Sequence, residues 1–161
     1  MVKAVEKAGG RGMVGVADVI DPKAVNAMVD AALQKFGRID YLVNNAALRQ
    51  EKSIEHLTFE DWRKVIGITL DGAFHCVKAC LESIKKSDAG SIINVGGLTA
   101  RNTEALSGLR NAALVHLTKT LSDQLGPHGI TVNIVHPGVT RTEHVETWFA
   151  ELARKEGISY E

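Results

Sequence analysis

Three short apolar runs constrain this chain more than any other feature: IDYLV (39–43), SIINV (91–95) and TVNIV (131–135). Each is too short for a helix and is rich in β-branched residues, and helical periodicity separates each from the next. Strands joined by helices form βαβ units, and such units pair in parallel because a tight turn cannot return the chain in the same direction. Right-handed crossovers then give a doubly wound layout, in which ligands meet the carboxyl ends of the strands.

Local signals place the helices. Asp21-Pro22 is an N-cap followed by proline at the first helical position, and Val25, Val29, Ala32 and Phe36 recur at helical spacing before Gly37. Thr58 and Asp61 resemble a capping box for a long helix over about 59–86, with Trp62, Val65, Ile66, Ala73, Val77, Leu81 and Ile84 as its buried stripe. Leu114, Leu117, Leu121 and Leu125 line a helix over about 105–125 that Gly126-Pro127 ends. A last amphipathic segment runs from about 143 to 155. GMVGVADV (12–19) reads as a further strand, and the glycines at 9, 10 and 12 as a helix C-cap and turn. The expectation is an α/β chain, a partial doubly wound parallel sheet of about four strands with three main helices, forming one domain over residues 1–161.

Bulk properties narrow the function. At 161 residues with 45% hydrophobic and 24% charged residues, the chain can bury a core. Its formal net charge of zero argues against a phosphate-neutralising nucleic-acid binder. No apolar run approaches a membrane-spanning length and the first residues lack the apolar core of a signal peptide, so no membrane partner and a cytoplasmic location are expected. Cys76 and Cys80, four apart on a helix, read as buried thiols, and the scattered histidines (56, 75, 116, 128, 136 and 144) form no metal-binding pattern.

GRIDYLVNNAA (37–47), Asp18-Val19 upstream of it and ITVNIVHPGVTRT (130–142), taken in order, resemble the short-chain dehydrogenase/reductases. The likeness covers nearly the whole chain. It implies a Rossmann-like fold and an NAD- or NADP-dependent oxidoreductase of small alcohols and carbonyls. It also implies cofactor contacts from Asp18, Val19, Asn45, Ala46 and Ala47, and from Pro137, Gly138 and Thr140 beneath the nicotinamide. Ala47 stands where the family carries glycine, and alanine restricts positive φ there. The residues by themselves leave a second reading open, since Asn44 and Asn45 can also serve as turn residues that bond their own backbone.

The same resemblance exposes a loss. The family uses a tyrosine hydroxyl as general acid/base, a lysine four residues later that lowers its pKa, an orienting serine and an asparagine that holds a relay water. The matching positions here are Ser107, Asn111, Gly97 and Thr69. The chain's two tyrosines, Tyr41 and Tyr160, have no lysine four residues on, so no shift of register restores the pair. Arg110 could supply charge near Ser107, but a guanidinium does not release its proton and has the wrong shape. No glycine-rich strand–turn–helix precedes residue 12, so the pyrophosphate cradle of the family is missing. The expectation is therefore a truncated, catalytically degenerate homologue with weak or absent cofactor binding. The alternative is a noncatalytic module, a homo-oligomer built through helices 59–86 and 105–125. One sheet face should lack its cover unless Val145, Trp148, Phe149 and Leu152 fold over it, and the strand at 12–19 should lack its usual neighbour.

Overall fold

The computed structural model describes residues 1–50, 52–97, 106–138, 140 and 143–159. Helix α1 (Val2–Lys7) ends in a turn with Gly9 at φ 81°, a left-handed position that only glycine adopts without strain. Helix α2 (Pro22–Phe36) is capped as its sequence demands. The Asp21 carboxylate accepts from Lys23 N, and Gly37 closes the helix at φ 83°. Strand β1 (Tyr41–Asn44) follows, then α3 (Phe59–Ile66), a π-helical turn (Gly67–Asp71) and α4 (Gly72–Ile84). Strand β2 (Ser91–Val95), α5 (Leu106–Leu125), β3 (Thr131–Val135) and α6 (Glu143–Glu156) complete the described elements.

The sheet is parallel with order β1-β2-β3, and its register sets Leu42 beside Ile92 and Val132, and Asn44 beside Asn94 and Ile134. Residues in one such row share a face. Helices α4 and α5 pack on the face that carries these two rows, and α2 packs on α4. Val25 and Val29 of α2, Cys76, Val77, Cys80 and Ile84 of α4, Leu121 and Leu125 of α5, and Ile92 and Val132 of the sheet form one buried cluster. Ser83 ties α4 to the start of β1, its hydroxyl accepting from Ile39 N (2.7 Å) and donating to Ile39 O (3.1 Å).

Two expectations need correction. Residues 12–19 are not a strand: among the described residues the ladder has three strands, and no strand lies beside this segment. An extended peptide without a neighbour has nothing to bond laterally. Side chains hold it against α2 instead, Arg11 donating to Lys35 O (2.9 Å) and Lys35 to Gly12 O (3.1 Å), while Gly15 sits against Met28. Val14 and Val16 are left 73% and 94% exposed. The long helix over 59–86 is also not uniform. Its first half carries a complete capping box, with Thr58 Oγ1 accepting from Asp61 N and Asp61 Oδ2 from Thr58 N, both at 3.1 Å. The π turn at Gly67–Asp71 then widens the helix, and Trp62 of the expected stripe is half-exposed while Val65, Ala73, Val77 and Ile84 are buried.

Among the described residues no helix covers the edges of the other sheet face. Tyr41 is 67%, Val43 57% and Val135 50% exposed. Helix α6 leaves these three exposed: its Trp148 and Leu152 are themselves partly exposed, while Phe149 is half-buried. Val145 lies outside the described side chains. Among the described residues no helix is long and apolar enough to cross a membrane.

Candidate functional site

A cleft of about 190 Å³ opens at the carboxyl end of β1, between that strand, the turn before α2 and the π turn. Val19, Asn45, Ala46, Thr69 and Leu114 are among its lining residues. Three of the expected cofactor contacts, Val19, Asn45 and Ala46, therefore meet Thr69, the residue at the family's asparagine position. The fold brings them together in two ways. Asn45 and Ala46 follow the last residue of β1, where parallel strands deliver backbone to a ligand. Val19 packs against Gly72, where an added Cβ would fall 2.7 Å from its methyl. His75 Nδ1 lies 3.0 Å from Val19 O and anchors the same turn to α4.

The remaining expected contacts stand apart from this cleft. The Asp18 carboxylate accepts from Ile20 N at 3.0 Å, a bond within its own turn. Ala47 is exposed, and so are Pro137, Gly138 and Thr140 beyond β3, where Thr140 Oγ1 donates to Gly138 O (3.3 Å). Asn44 also lines the cleft, and its side chain bonds across the sheet: its Nδ2 donates to Asn94 Oδ1 (2.9 Å), and Asn94 Nδ2 donates to Thr118 Oγ1 (2.9 Å). Thr118 then donates to Leu114 O (2.7 Å). This chain of side chains crosses from sheet to α5 and satisfies Asn94, which is fully buried.

At the positions matching the family's catalytic groups the environment is closed. Asn111 is 3% exposed, and a Cβ on Gly97 would meet its Nδ2 at 2.8 Å. A serine at 97 would therefore require Asn111 to move. Ser107, in the first turn of α5, is part-buried. Sequence reasoning assigned no structural role to Arg110, which is 8% exposed and donates from Nη1 to Thr69 Oγ1 at 2.8 Å. A charged residue one position before a buried Asn, on a helix otherwise lined with leucine, was the available signal. Burial pushes its pKa below the ordinary guanidinium value. The two cysteines are free and buried, and burial first, then the neighbouring Cys76, pushes the Cys80 thiol up to about 11. Both thiols are thereby kept in the unreactive protonated form.

The family model for short chain dehydrogenases matches residues 1–153. The chain belongs to that family. It is 35% identical over 146 residues to a 3-oxoacyl-[acyl-carrier-protein] reductase of Synechocystis, covering 89% of this chain and 59% of that protein. It is likewise 35% identical over 158 residues to the short-chain reductase protein NovJ of Streptomyces niveus, covering 97% of this chain and 59% of that one. Among solved structures, a short chain dehydrogenase of Burkholderia cenocepacia in complex with NADP aligns with a TM-score of 0.82 and 31% identity, over 92% of this chain and 64% of that chain. The chain thus spans about three-fifths of the length of these family members. The Rossmann-like fold read from the sequence is the fold of the family.

The residues present fit a dinucleotide only in part. Val19, Asn45 and Ala46 offer the small side chains and free backbone that a ring and sugar need. Among the described residues no phosphate cradle accompanies them: the glycines at 10 and 12 sit against Val5 and Val2 of α1.

Proposed function

We propose that this chain is a catalytically degenerate short-chain dehydrogenase, one domain over residues 1–161, related by descent to NAD- or NADP-dependent oxidoreductases of small alcohols and carbonyls. The observation that carries the reading is Asn111. The residue four positions after Ser107 is a buried neutral amide packed under Gly97, where the family's chemistry needs a cation beside a phenol. Ser107 has an alkanol hydroxyl, far less acidic than a phenol, and Thr69 is engaged by Arg110. The proposed location is the cytoplasm, with no nucleic-acid or membrane partner.

The test is an absorbance assay of NADH and NADPH oxidation with small carbonyl substrates. No turnover is expected. Acting through a unit whose parts are non-additive, Ser107→Tyr alone should restore little. Turnover by the unmodified chain that Ser107→Ala abolishes would overturn the proposal. Cofactor binding should be weaker than roughly millimolar, because the partial site offers little to offset lost translational and rotational freedom. Micromolar binding by calorimetry would contradict that.

A second reading, a noncatalytic homo-oligomer assembled through helices 59–86 and 105–125, is favoured by one observation. Phe59 (87%), Phe74 (48%), Leu109 (48%) and Trp62 (40%) are large apolar side chains exposed on α3, α4 and α5. Such a concentration on neighbouring helices suits a subunit contact.

A further inference from the structure

Among the described residues nothing balances the charge of Arg110. It occupies the second turn of α5 and is more than nine-tenths buried against the π turn. Its Nη1 is used by Thr69, but its buried Nε has no acceptor. Among the described residues no carboxylate pairs with it. A guanidinium does not shed its proton to escape burial, and a buried cation without a counter-charge is costly.

The position of this cation is informative. Thr69, which holds its Nη1 end, lines the cleft at the end of β1, and so does Leu114, one helical turn beyond Arg110. The guanidinium therefore stands behind the cleft's Thr69 wall, with its Nε buried and unpartnered. A guanidinium's planar edge receives a carboxylate through two parallel hydrogen bonds. One cation balances a monoanion, whereas a phosphate dianion would leave a buried negative charge of its own. Most of the cleft's other lining, including Ile68, Ala73, Cys76 and Val95, is apolar.

We infer that Arg110 anchors a binding site for the carboxylate of a small organic acid, with the Thr69 hydroxyl fixing the guanidinium and the adjoining cleft taking the acid's apolar body. The site goes beyond the proposed loss of catalysis and does not depend on it, since acetate binding and nicotinamide turnover are read separately.

The test titrates the unmodified chain with sodium acetate against sodium chloride at matched ionic strength. Two quantities are read: the arginine Nε–H resonances in a proton–nitrogen correlation spectrum, and the melting temperature. Acetate should move one protected Nε–H resonance saturably and raise the melting temperature beyond the chloride control. Arg110→Met should abolish both responses while folding, because an apolar chain of similar length tolerates the buried site. Arg110→Lys, which keeps the charge and loses the fork, should weaken the acetate response at least about tenfold. The inference fails if acetate does no more than chloride, or if its effect survives Arg110→Met. It fails equally if inorganic phosphate binds better than acetate.

Discussion

The two faces of the three-stranded sheet share the same strands and differ in almost everything else. On the helix side Ile92 is fully buried, Val132 6% exposed, and Asn94 fully buried with both ends of its amide bonded. On the other side Tyr41, Val43 and Val135 are half or more exposed, in rows where the register sets Ser91 beside Tyr41, Ile93 and Asn133 beside Val43, and Val95 beside Val135. Parallel strands are apolar on both sides because helices ordinarily cover both. The strand sequences here are written for two covers, and the described helices α2, α4 and α5 supply one. A side chain's hydrophobicity therefore reports what the strand is built to meet, while its exposure reports what this chain supplies.

The largest consequence is association. An uncovered sheet face exceeds the apolar patch a soluble monomer tolerates, so the isolated chain should self-associate, visible in light scattering as at least about a doubling of mass. Charges on the bare face alone, Val43→Lys with Val135→Lys, should return it to the monomer. A parent chain that scatters as a stable monomer, unfolds cooperatively and binds no hydrophobic dye would break the comparison. Stability should divide the same way. In the double-lysine background Ile92→Ala should cost roughly 2–5 kcal/mol by urea unfolding, since it empties a filled core site. Tyr41→Ala, on the bare face, should cost under about 1 kcal/mol. Equal losses would show that the bare face is packed in solution. A smaller effect separates the polar link from the apolar core: Asn94→Ala removes one buried and one part-buried hydrogen bond and leaves the Asn44 amide without its partner, for about 2 kcal/mol.

How much of this the sequence made legible depends on whether a signal is local. The Asp21 cap, the Gly37 stop, the Thr58–Asp61 box and the three ladder strands all rest on residues close in sequence, and all are present. GMVGVADV has an equally good local pattern and is no strand, because strand identity needs a neighbour that local pattern does not contain. The π turn was illegible for the opposite reason: GITLD reads as ordinary helix, with no local residue that marks the wider turn. At the candidate site, Val19, Asn45, Ala46 and Thr69 were singled out by motif position and share one cleft. The bond that occupies Thr69 was not legible. It joins residues 41 apart, and nothing in either stretch names the other.

The smallest expected effect concerns neither face but the edge of the helical layer that covers one of them. Asp61 receives hydrogen bonds from Lys52 Nζ (2.8 Å) and from Thr58 N and Oγ1, and these hold its carboxyl down at about 2, against an ordinary value of 3.8. The folded state thus binds this proton less readily than the unfolded chain does, so the contribution is complete above about pH 4 and fades as pH falls toward 2. Asp61→Asn removes the titrating group and the ion pair but keeps a side chain that can accept at the cap. The urea midpoint of the unmodified chain should therefore fall more steeply between pH 4 and pH 2 than that of the variant, with the two curves drawing together at the acid end. Parallel curves across that window would mean that the capping box at Thr58 persists without its charge. The start of α3 would then be held by packing at Val65, with the box contributing only local order.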